Sequence, residues 1–261
     1  MSKVRVETNE KSFISEIILN NPPVNALGSE MALELVNAVE QVKSLIEKRK
    51  VRVVILRSEG KHFCAGADLK ERLSVAESEV ANRVKSIRKA VDSIWALKTP
   101  VIAAINGVAL GGGLELALAA DIRIASLESR MGLKEVVLAI MPGAGGTQRL
   151  SRIVGLGIAL DWISTGRDIS PEEALKAGLI SAAVPEDQLL EKAKEIALAI
   201  AENGPVGVQA AKKALREGYD LPFEEALEVE WAEYLKTIPT KDRLEGLKAF
   251  SEKRKPDYKG Y

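Results

Sequence analysis

Two glutamates in apolar, glycine-rich surroundings are the strongest candidates for chemistry in this sequence. Glu115 stands between Leu114 and Leu116 directly after a run of glycines, and Glu135 precedes the apolar segment VVLAIMPGAGG. Burial raises the pKa of an unpaired carboxyl group, and two such groups can share one water molecule as base and acid. Each also has a simpler interpretation: Glu115 complements a helix dipole, and Glu135 is a solvated charge beside Lys134.

The three consecutive glycines Gly111–Gly113 open the predicted helix that carries Glu115. The first amides of a helix lack intrahelical acceptors, so they can hold a developing oxyanion if a second loop adds another N–H. The loop Cys64–Leu69 is rich in small residues, which lets a ligand approach its backbone. Cys64 itself is interpreted as a small buried hydrophobic residue rather than a nucleophile.

Other kinds of catalytic site lack the residues that they need. His62 is the single histidine, it is interpreted as a loop or strand residue, and no G-x-S-x-G motif occurs. His62 and Cys64 are too few ligands for a tetrahedral zinc site, so we predict no metal. Gly60-Lys61 is followed by histidine, and Gly155–Leu160 lacks the third glycine of a dinucleotide fingerprint. We therefore expect catalysis by carboxylates and backbone donors.

The composition is typical of a compact globular protein without a nucleic-acid-binding excess of charge. Of 261 residues, 46% are hydrophobic and 28% are charged, and 37 basic residues balance 37 acidic ones. One basic cluster, Arg83, Lys85, Arg88 and Lys89, is interpreted as a solvated helix face because acidic residues flank it. RNA binding through this cluster is the alternative from a different functional class.

Neither a membrane span nor a disulfide framework is expected. The segment Val101–Ala120 has the length of a membrane span, but Asn106, the glycine run and Glu115 interrupt it. The N-terminal residues lack the apolar stretch of a signal peptide, and a single cysteine leaves no intramolecular disulfide to form. We expect a cytoplasmic protein.

The candidate residues must be positioned by alternating strands and helices. Ser29 is expected to cap a helix that extends to about residue 48, and residues 58–72 are expected to form a loop. A further helix covers about 75–97, and Ser170-Pro171 opens one that Gly178 closes. The predicted strands are 3–8, 13–19, 53–56, 100–106, 121–126 and 180–184.

Strand–helix alternation followed by helices alone predicts an α/β fold with a helical C-terminal region. We place the core with the active site at residues 1–195 and the helical region at residues 196–261. Some apolar side chains of that region are expected to pack on a neighbouring subunit. They are Leu227, Trp231, Leu235, Leu244, Leu247 and Phe250.

Five segments together resemble the crotonase superfamily, the family of enoyl-CoA hydratases and isomerases. They occur in the family's order over nearly the whole chain, and two of them look closest to the 3-methylglutaconyl-CoA hydratase branch, some of whose members also bind RNA. The segments are FCAGADLKE (63–71), PVIAAINGVALGGGLELALAADIRIA (100–125), GLKEVVLAIMPGAGGTQRL (132–150), TGRDISPEEALKAGLI (165–180) and EGLKAFSEKRKP (245–256).

The resemblance implies a spiral of ββα turns, a C-terminal helical trimerisation region and a hexamer built as a dimer of trimers. It implies an acyl-CoA substrate, no separate cofactor, and catalysis by Glu115 and Glu135. Ala67 and Gly112 match the family's oxyanion-hole amides. The residues that match the family's CoA-binding positions are Ala65, Gly66, Asp68, Leu69, Lys70, Phe250 and Lys253.

The implied reaction is syn addition of water across the 2,3 double bond of a 2-enoyl-CoA thioester. We assign Glu115 to activate the water and Glu135 to protonate C2, although the two roles can be shared. The alternatives are hydration of 3-methylglutaconyl-CoA and isomerisation of a 3-enoyl to a 2-enoyl thioester. Isomerases of the family commonly keep one glutamate, and this sequence has both.

Overall fold

The protein forms one six-stranded sheet and one two-stranded sheet, surrounded by helices. The computed structural model describes residues 2–261. Its strands are β1 Val4–Asn9, β2 Ile14–Leu19, β3 Val53–Ser58, β4 Val101–Ile105, β5 Val108–Leu110, β6 Ile122–Ser126, β7 Arg130–Gly132 and β8 Ala182–Val184. Its α-helices are α1 Ser29–Glu47, α2 Leu69–Ser74, α3 Glu77–Trp95, α4 Gly112–Leu118, α5 Gly146–Val154, α6 Leu156–Thr165, α7 Pro171–Lys176, α8 Glu186–Ala201, α9 Pro205–Gly218, α10 Phe223–Leu235 and α11 Lys241–Ser251. A 3-10 helix covers Glu135–Leu138.

The larger sheet has the strand order β1-β2-β3-β4-β6-β8, in which only the β1–β2 hairpin is antiparallel. The six strands predicted from the sequence are confirmed, with ends that differ by at most two residues. The smaller sheet pairs β5 with β7 in parallel and was not predicted. Each of these strands has three residues, too short for hydrophobic alternation to distinguish a strand from a loop.

Alternate residues of the larger sheet pack into cores on its two faces. Val54 and Leu56 of β3 face the main core, which α1, α3 and α4 complete. Val53 and Ile55 face a second core, where alanines of α8 pack on the sheet. This alternation follows from the period of two in a strand, and it explains why the central strands read as continuous apolar runs.

Two local expectations are wrong. Ser29 does not cap α1: Gly28 holds the cap position, and the carboxylate of Glu71 accepts hydrogen bonds from the Ser29 amide at 2.8 Å and from the Ser29 hydroxyl. The loop expected over 58–72 contains the start of α2, because Asp68 accepts from the amides of Lys70 at 2.9 Å and Glu71 at 3.1 Å. The predicted cap at Ser170 is confirmed, as part of a capping box.

The C-terminal region consists of helices, as predicted, and it leaves large apolar side chains exposed. Trp231 is 55% exposed and Phe250 is 87% exposed, and Leu227, Leu235, Leu244 and Leu247 are exposed as well. The division at residue 195 lies within α8, which packs on the sheet, and it stays a prediction. Among residues 2–261, no helix is both long and apolar enough to cross a membrane.

Candidate active site

A cavity of about 230 Å³ collects most of the candidate residues. It lies between the loop before α2, the start of α4, the 3-10 helix and the side chains of α3. The predicted site residues that line it are Ala65, Gly66, Ala67, Leu69, Gly112, Glu115 and Glu135. Residues separated by up to 70 positions therefore meet at one site, because Cys64 forms a parallel bridge with Ala109 of β5, and β5 pairs with β7.

Glu115 lies in the first turn of α4 and is 3% exposed. Its Oε1 accepts hydrogen bonds from the backbone amides of Ala144 at 2.7 Å and Gly146 at 2.8 Å. Burial raises the pKa of Glu115, while these two amides favour the charged form and limit the rise. Oε2 has no hydrogen-bond partner within residues 2–261, so one oxygen is held and the other is free to bind water.

Glu135 begins the 3-10 helix and also lines the cavity. Its Oε2 is buried and has no hydrogen-bond partner in the described part of the chain. Burial and, second, the nearby charge of Glu115 raise the pKa of Glu135 to about 7. The two carboxyl groups therefore differ in environment: amides bind Glu115, and Glu135 is left to hold a proton near neutral pH.

The small β5–β7 sheet brings the two glutamate segments together. β5 leads into Gly111 and α4, and β7 leads into Lys134 and Glu135. The Gly111 amide donates to Gly132 O at 2.8 Å, which continues the pairing past the end of β5. A Cβ built on Gly111 would lie 3.1 Å from Glu135 Oε1, so the glycine turn and the carboxyl group are in contact distance.

Ala67 and Gly112 present two unpaired backbone amides to the cavity. Leu27 binds the residues on both sides of Ala67, since its amide donates to Gly66 O at 2.8 Å and its carbonyl accepts from the Asp68 amide at 3.3 Å. Neither the Ala67 nor the Gly112 amide has an acceptor within residues 2–261. A Cβ built on Gly112 would lie 3.7 Å from Ala67 N. Two convergent donors of this kind can stabilise an oxyanion.

Gly66 is required by the geometry of this loop. Its φ is +95°, and a Cβ at this position would lie 2.6 Å from Leu110 O and 3.4 Å from Gly112 N. A side chain would therefore strain the backbone and push the loop away from α4. The separation of the Ala67 and Gly112 amides depends on this close approach.

Four predicted CoA-binding residues lie outside the cavity lining. Asp68 caps α2, and Lys70 is exposed on that helix. Phe250 is exposed on α11, and Lys253 follows the end of that helix. The structure does not bring Phe250 or Lys253 to the wall of this cavity, so their role stays a prediction.

The whole chain is similar to known enzymes. The family described as enoyl-CoA hydratase/isomerase matches residues 9–261. The chain belongs to this family. Human mitochondrial methylglutaconyl-CoA hydratase is 47% identical over 241 residues, which cover 90% of this chain and 70% of that protein. Human mitochondrial enoyl-CoA hydratase domain-containing protein 2 is 42% identical over 264 residues, which cover 99% of this chain and 89% of that protein.

A solved structure of the enoyl-CoA hydratase from Bacillus anthracis superposes with a TM-score of 0.94. It is 47% identical in sequence, and the match covers 99% of this chain and 100% of that one. The α/β fold of the crotonase superfamily is thereby confirmed, and the protein is an enzyme of the enoyl-CoA hydratase/isomerase family.

Several contacts of this site were not predicted from the sequence. The amides of Ala144 and Gly146 bind Glu115, and Arg149 in turn binds Ala144 O at 2.8 Å. The segment GAGG was noted only as the end of the apolar segment after Glu135, although free amides in a glycine-rich turn are a usable signal. Arg149 gave no signal, because its charged partner Asp92 lies 57 positions away in the sequence. Cys64 is buried, with a pKa raised to about 12, as its interpretation as a core residue predicted.

Proposed function

We propose that this enzyme is an enoyl-CoA hydratase, which adds water syn across the 2,3 double bond of a 2-enoyl-CoA to give a 3-hydroxyacyl-CoA. The observation that carries the proposal is the pair of unlike carboxyl groups, Glu115 and Glu135, on one cavity with two unpaired amides. An isomerase needs one acid/base, whereas hydration uses a base for water and an acid for carbon.

The amides of Ala67 and Gly112 bind the thioester oxygen. Withdrawal of electron density toward this oxygen makes C3 electrophilic, and the same donors stabilise the enolate that forms when C3 is attacked. The loop Ala65–Lys70 binds the CoA portion of the substrate. CoA is part of the substrate, and the reaction uses no separate cofactor or metal.

Glu115 and Glu135 move the protons of the reaction. The free Oε2 of Glu115 accepts a proton from water as its oxygen bonds to C3, and protonated Glu135 gives its proton to C2. The proposed addition is syn, so both carboxyl groups act from one face of the bound double bond; both line the cavity that would hold it. After the addition Glu115 carries a proton and Glu135 is ionised. Transfer of this proton to Glu135 through a newly bound water molecule restores the starting protonation state.

The exposed apolar side chains of α10 and α11 support the proposal of a homo-oligomer, a hexamer built as a dimer of trimers. Trp231 and Phe250 are large side chains that a monomer leaves in water, and burial in an interface removes this cost. Phe250 and Lys253 reach a bound CoA in this proposal. The compartment that we propose is the cytoplasm.

The test of hydration uses purified enzyme with crotonyl-CoA and follows the loss of the conjugated enoyl-thioester absorbance. We expect rapid loss with 3-hydroxybutyryl-CoA as product. Glu115→Gln and Glu135→Gln should each lower kcat by about 10²–10⁴-fold while acyl-CoA still binds. Glu128→Gln, a change at an exposed loop residue, is the matched control. Conversion of a 3-enoyl to a 2-enoyl thioester without hydroxy product would instead identify an isomerase.

A second candidate is hydration of a branched, carboxylated substrate such as 3-methylglutaconyl-CoA. Arg72 lines the cavity near Glu135 and has no ion pair within residues 2–261, so its guanidinium is available for a substrate carboxylate. Lys134 also lines the cavity, but it pairs with Asp168 at 2.6 Å. The identity with human methylglutaconyl-CoA hydratase supports this candidate.

Arg72→Gln separates the two candidates. If a carboxylated acyl group binds Arg72, this change lowers kcat/KM for 3-methylglutaconyl-CoA by about 10–100-fold and leaves crotonyl-CoA nearly unchanged. Lys89→Gln, on an exposed position of α3, is the charge-matched control. Equal effects on both substrates would contradict a carboxylate-binding role for Arg72.

A further inference from the structure

We propose that Arg149 is a positioning residue that holds the Ala144–Gly146 turn against Glu115, and that Asp92 orients Arg149 for this role. Arg149 does not line the cavity, so it acts through the turn rather than on the substrate. This inference rests on the proposed hydration, in which Glu115 activates water. It assigns a function to an ion pair on the outer side of the active-site wall.

Arg149 and Glu115 bind the same residue from opposite sides. Arg149 Nη1 donates to Ala144 O at 2.8 Å, and Ala144 N donates to Glu115 Oε1 at 2.7 Å. Gly146 N adds the second bond to that oxygen at 2.8 Å. A single residue, Ala144, thus links the guanidinium of Arg149 to the carboxylate of Glu115.

The turn needs a side-chain support because, apart from the start of α5 at Gly146, its own residues restrict it little. The segment 143–146 contains three glycines and one alanine, and Gly145 has a φ of +100°. Glycines leave the backbone many alternative conformations, and most of them would direct the Ala144 and Gly146 amides away from Glu115. A Cβ on Gly145 would overlap the guanidinium of Arg149, so the arginine packs directly on the turn.

Helix α3 fixes the guanidinium itself. Arg149 Nη2 donates to Asp92 Oδ1 at 2.6 Å, and the guanidinium carbon lies 5.2 Å from the centroid of the Trp95 ring. The Arg149 side chain is 13% exposed and that of Asp92 is 45% exposed, so water screens this pair mainly on the Asp92 side. A planar guanidinium binds two acceptors at once in fixed directions, and a lysine ammonium does not reproduce this fork.

The charges around Glu115 influence its pKa, so the pH dependence of the rate reports on them. Arg149 lowers the pKa of Glu115, and Asp92 raises it. The other charged groups at the cavity are Glu135 on the 3-10 helix, Arg72 on α2 and Lys134 before the 3-10 helix. Removal of Arg149 therefore raises the pKa of Glu115 and moves the acidic limb of the rate profile to higher pH, while Asp92→Asn moves it the other way.

The experiment compares Arg149→Gln, Arg149→Lys and Asp92→Asn with Arg152→Gln. Arg152 lies on the same helix and pairs with Asp220 at 3.2 Å on the surface, so it is the matched control. The measurements are kcat and KM for crotonyl-CoA from about pH 5 to about pH 9, with amide hydrogen exchange of the turn.

For Arg149→Gln we expect kcat to fall about 10–100-fold and KM to change less than about threefold, with faster exchange of the Ala144 and Gly146 amides. The acidic limb of the pH–rate profile of Arg149→Gln moves to higher pH. Arg149→Lys keeps the charge, so its limb stays in place while kcat falls by a smaller factor. Arg152→Gln retains wild-type values.

A lowered melting temperature with unchanged kcat, pH profile and exchange in Arg149→Gln would overturn the proposal, since the arginine would then be merely structural. Wild-type kcat and wild-type exchange of the Ala144 and Gly146 amides in Asp92→Asn would overturn the orienting role of Asp92. If the wild-type enzyme does not hydrate crotonyl-CoA, the proposed function fails on this substrate. The exchange measurement still decides whether Arg149 positions the turn.

Discussion

The charge of Glu115 raises the pKa of Glu135 across the active-site cavity. Burial is the larger cause of this rise, and the neighbouring carboxylate adds to it. Glu115 is stabilised in its charged form by two backbone amides, and Glu135 has a buried oxygen without a partner. The pair can therefore hold one proton between two unlike positions at neutral pH, which is the state that acid–base addition of water requires.

Replacement of one glutamate should change the titration of the other. In Glu115→Gln the neighbouring negative charge is lost, so we expect the pKa of Glu135 to fall from its value of about 7 toward 4.5, with burial preventing a complete return. Carbon-13 NMR of glutamate side-chain carboxyl groups, recorded over a pH series, measures this shift. An unchanged Glu135 titration would mean that the two groups do not interact.

Glu135 should reduce the stability of the protein as the pH rises. Its pKa is about 7 in the folded protein and 4.5 for the free side chain, so its folded form binds a proton more tightly than its unfolded form. The stability that this proton contributes is complete below about pH 4.5 and is lost by about pH 7.

Glu135→Gln removes this loss, so the variant should be more stable than the wild type at alkaline pH. We expect a gain of about 1–2 kcal/mol at pH near 8, reduced from the full linkage value because the side chain is partly exposed. Thermal unfolding at acidic and alkaline pH, at fixed protein concentration, measures the difference. A stability difference that is independent of pH would contradict it.

Gly66→Ala should damage the oxyanion-binding loop. The positive φ and the contact with Leu110 O predict a loss of about 1–3 kcal/mol in stability and a fall in kcat as the Ala67 amide is displaced. Gly157→Ala is the control: it lies in α6, and a Cβ there meets no atom within 4 Å. That change should leave kcat unchanged and keep or raise stability. Similar kinetics for both variants would contradict the role of Gly66.

Asp68→Ala should loosen α2 at its first turn. The Asp68 carboxylate binds the Lys70 and Glu71 amides, and loss of such a cap costs about 1 kcal/mol. We expect faster amide exchange in α2 and a higher KM, because Leu69 and Arg72 of that helix line the cavity. Asp68→Asn keeps a capping oxygen and should retain most of the wild-type behaviour, whereas equal losses in both variants would point to the charge instead.

The sequence was informative where a residue's own type determines its surroundings. Glu115 among leucines after a glycine run predicted a buried carboxyl group at the start of a helix, and the structure has it 3% exposed in the first turn of α4. The strand predicted at 53–56 was likewise evident from its apolar residues, and the structure has it buried as β3.

Long-range partners were not predictable in this way. The amides that bind Glu115 come from residues 144 and 146, and a backbone donor leaves no mark in the residue type. Ser29 had the correct residue type for a cap, but the first amide of α1 instead donates to the carboxylate of Glu71, which lies 42 positions further along the chain. The three-residue strands β5 and β7 form because their neighbours hold them together, so neither is visible in its own short sequence.

In the β5–β7 pair, one strand leads to the group proposed to bind the substrate and the other leads to the group proposed to determine the reaction type. The end of β5 supplies the Gly112 amide, and the end of β7 supplies Glu135. In the proposed mechanism, a mutation can therefore replace the acid at position 135 while the amide at position 112 still binds the thioester oxygen. Enzymes with this fold can therefore acquire a different reaction by a single substitution at position 135 and retain binding of the same thioester.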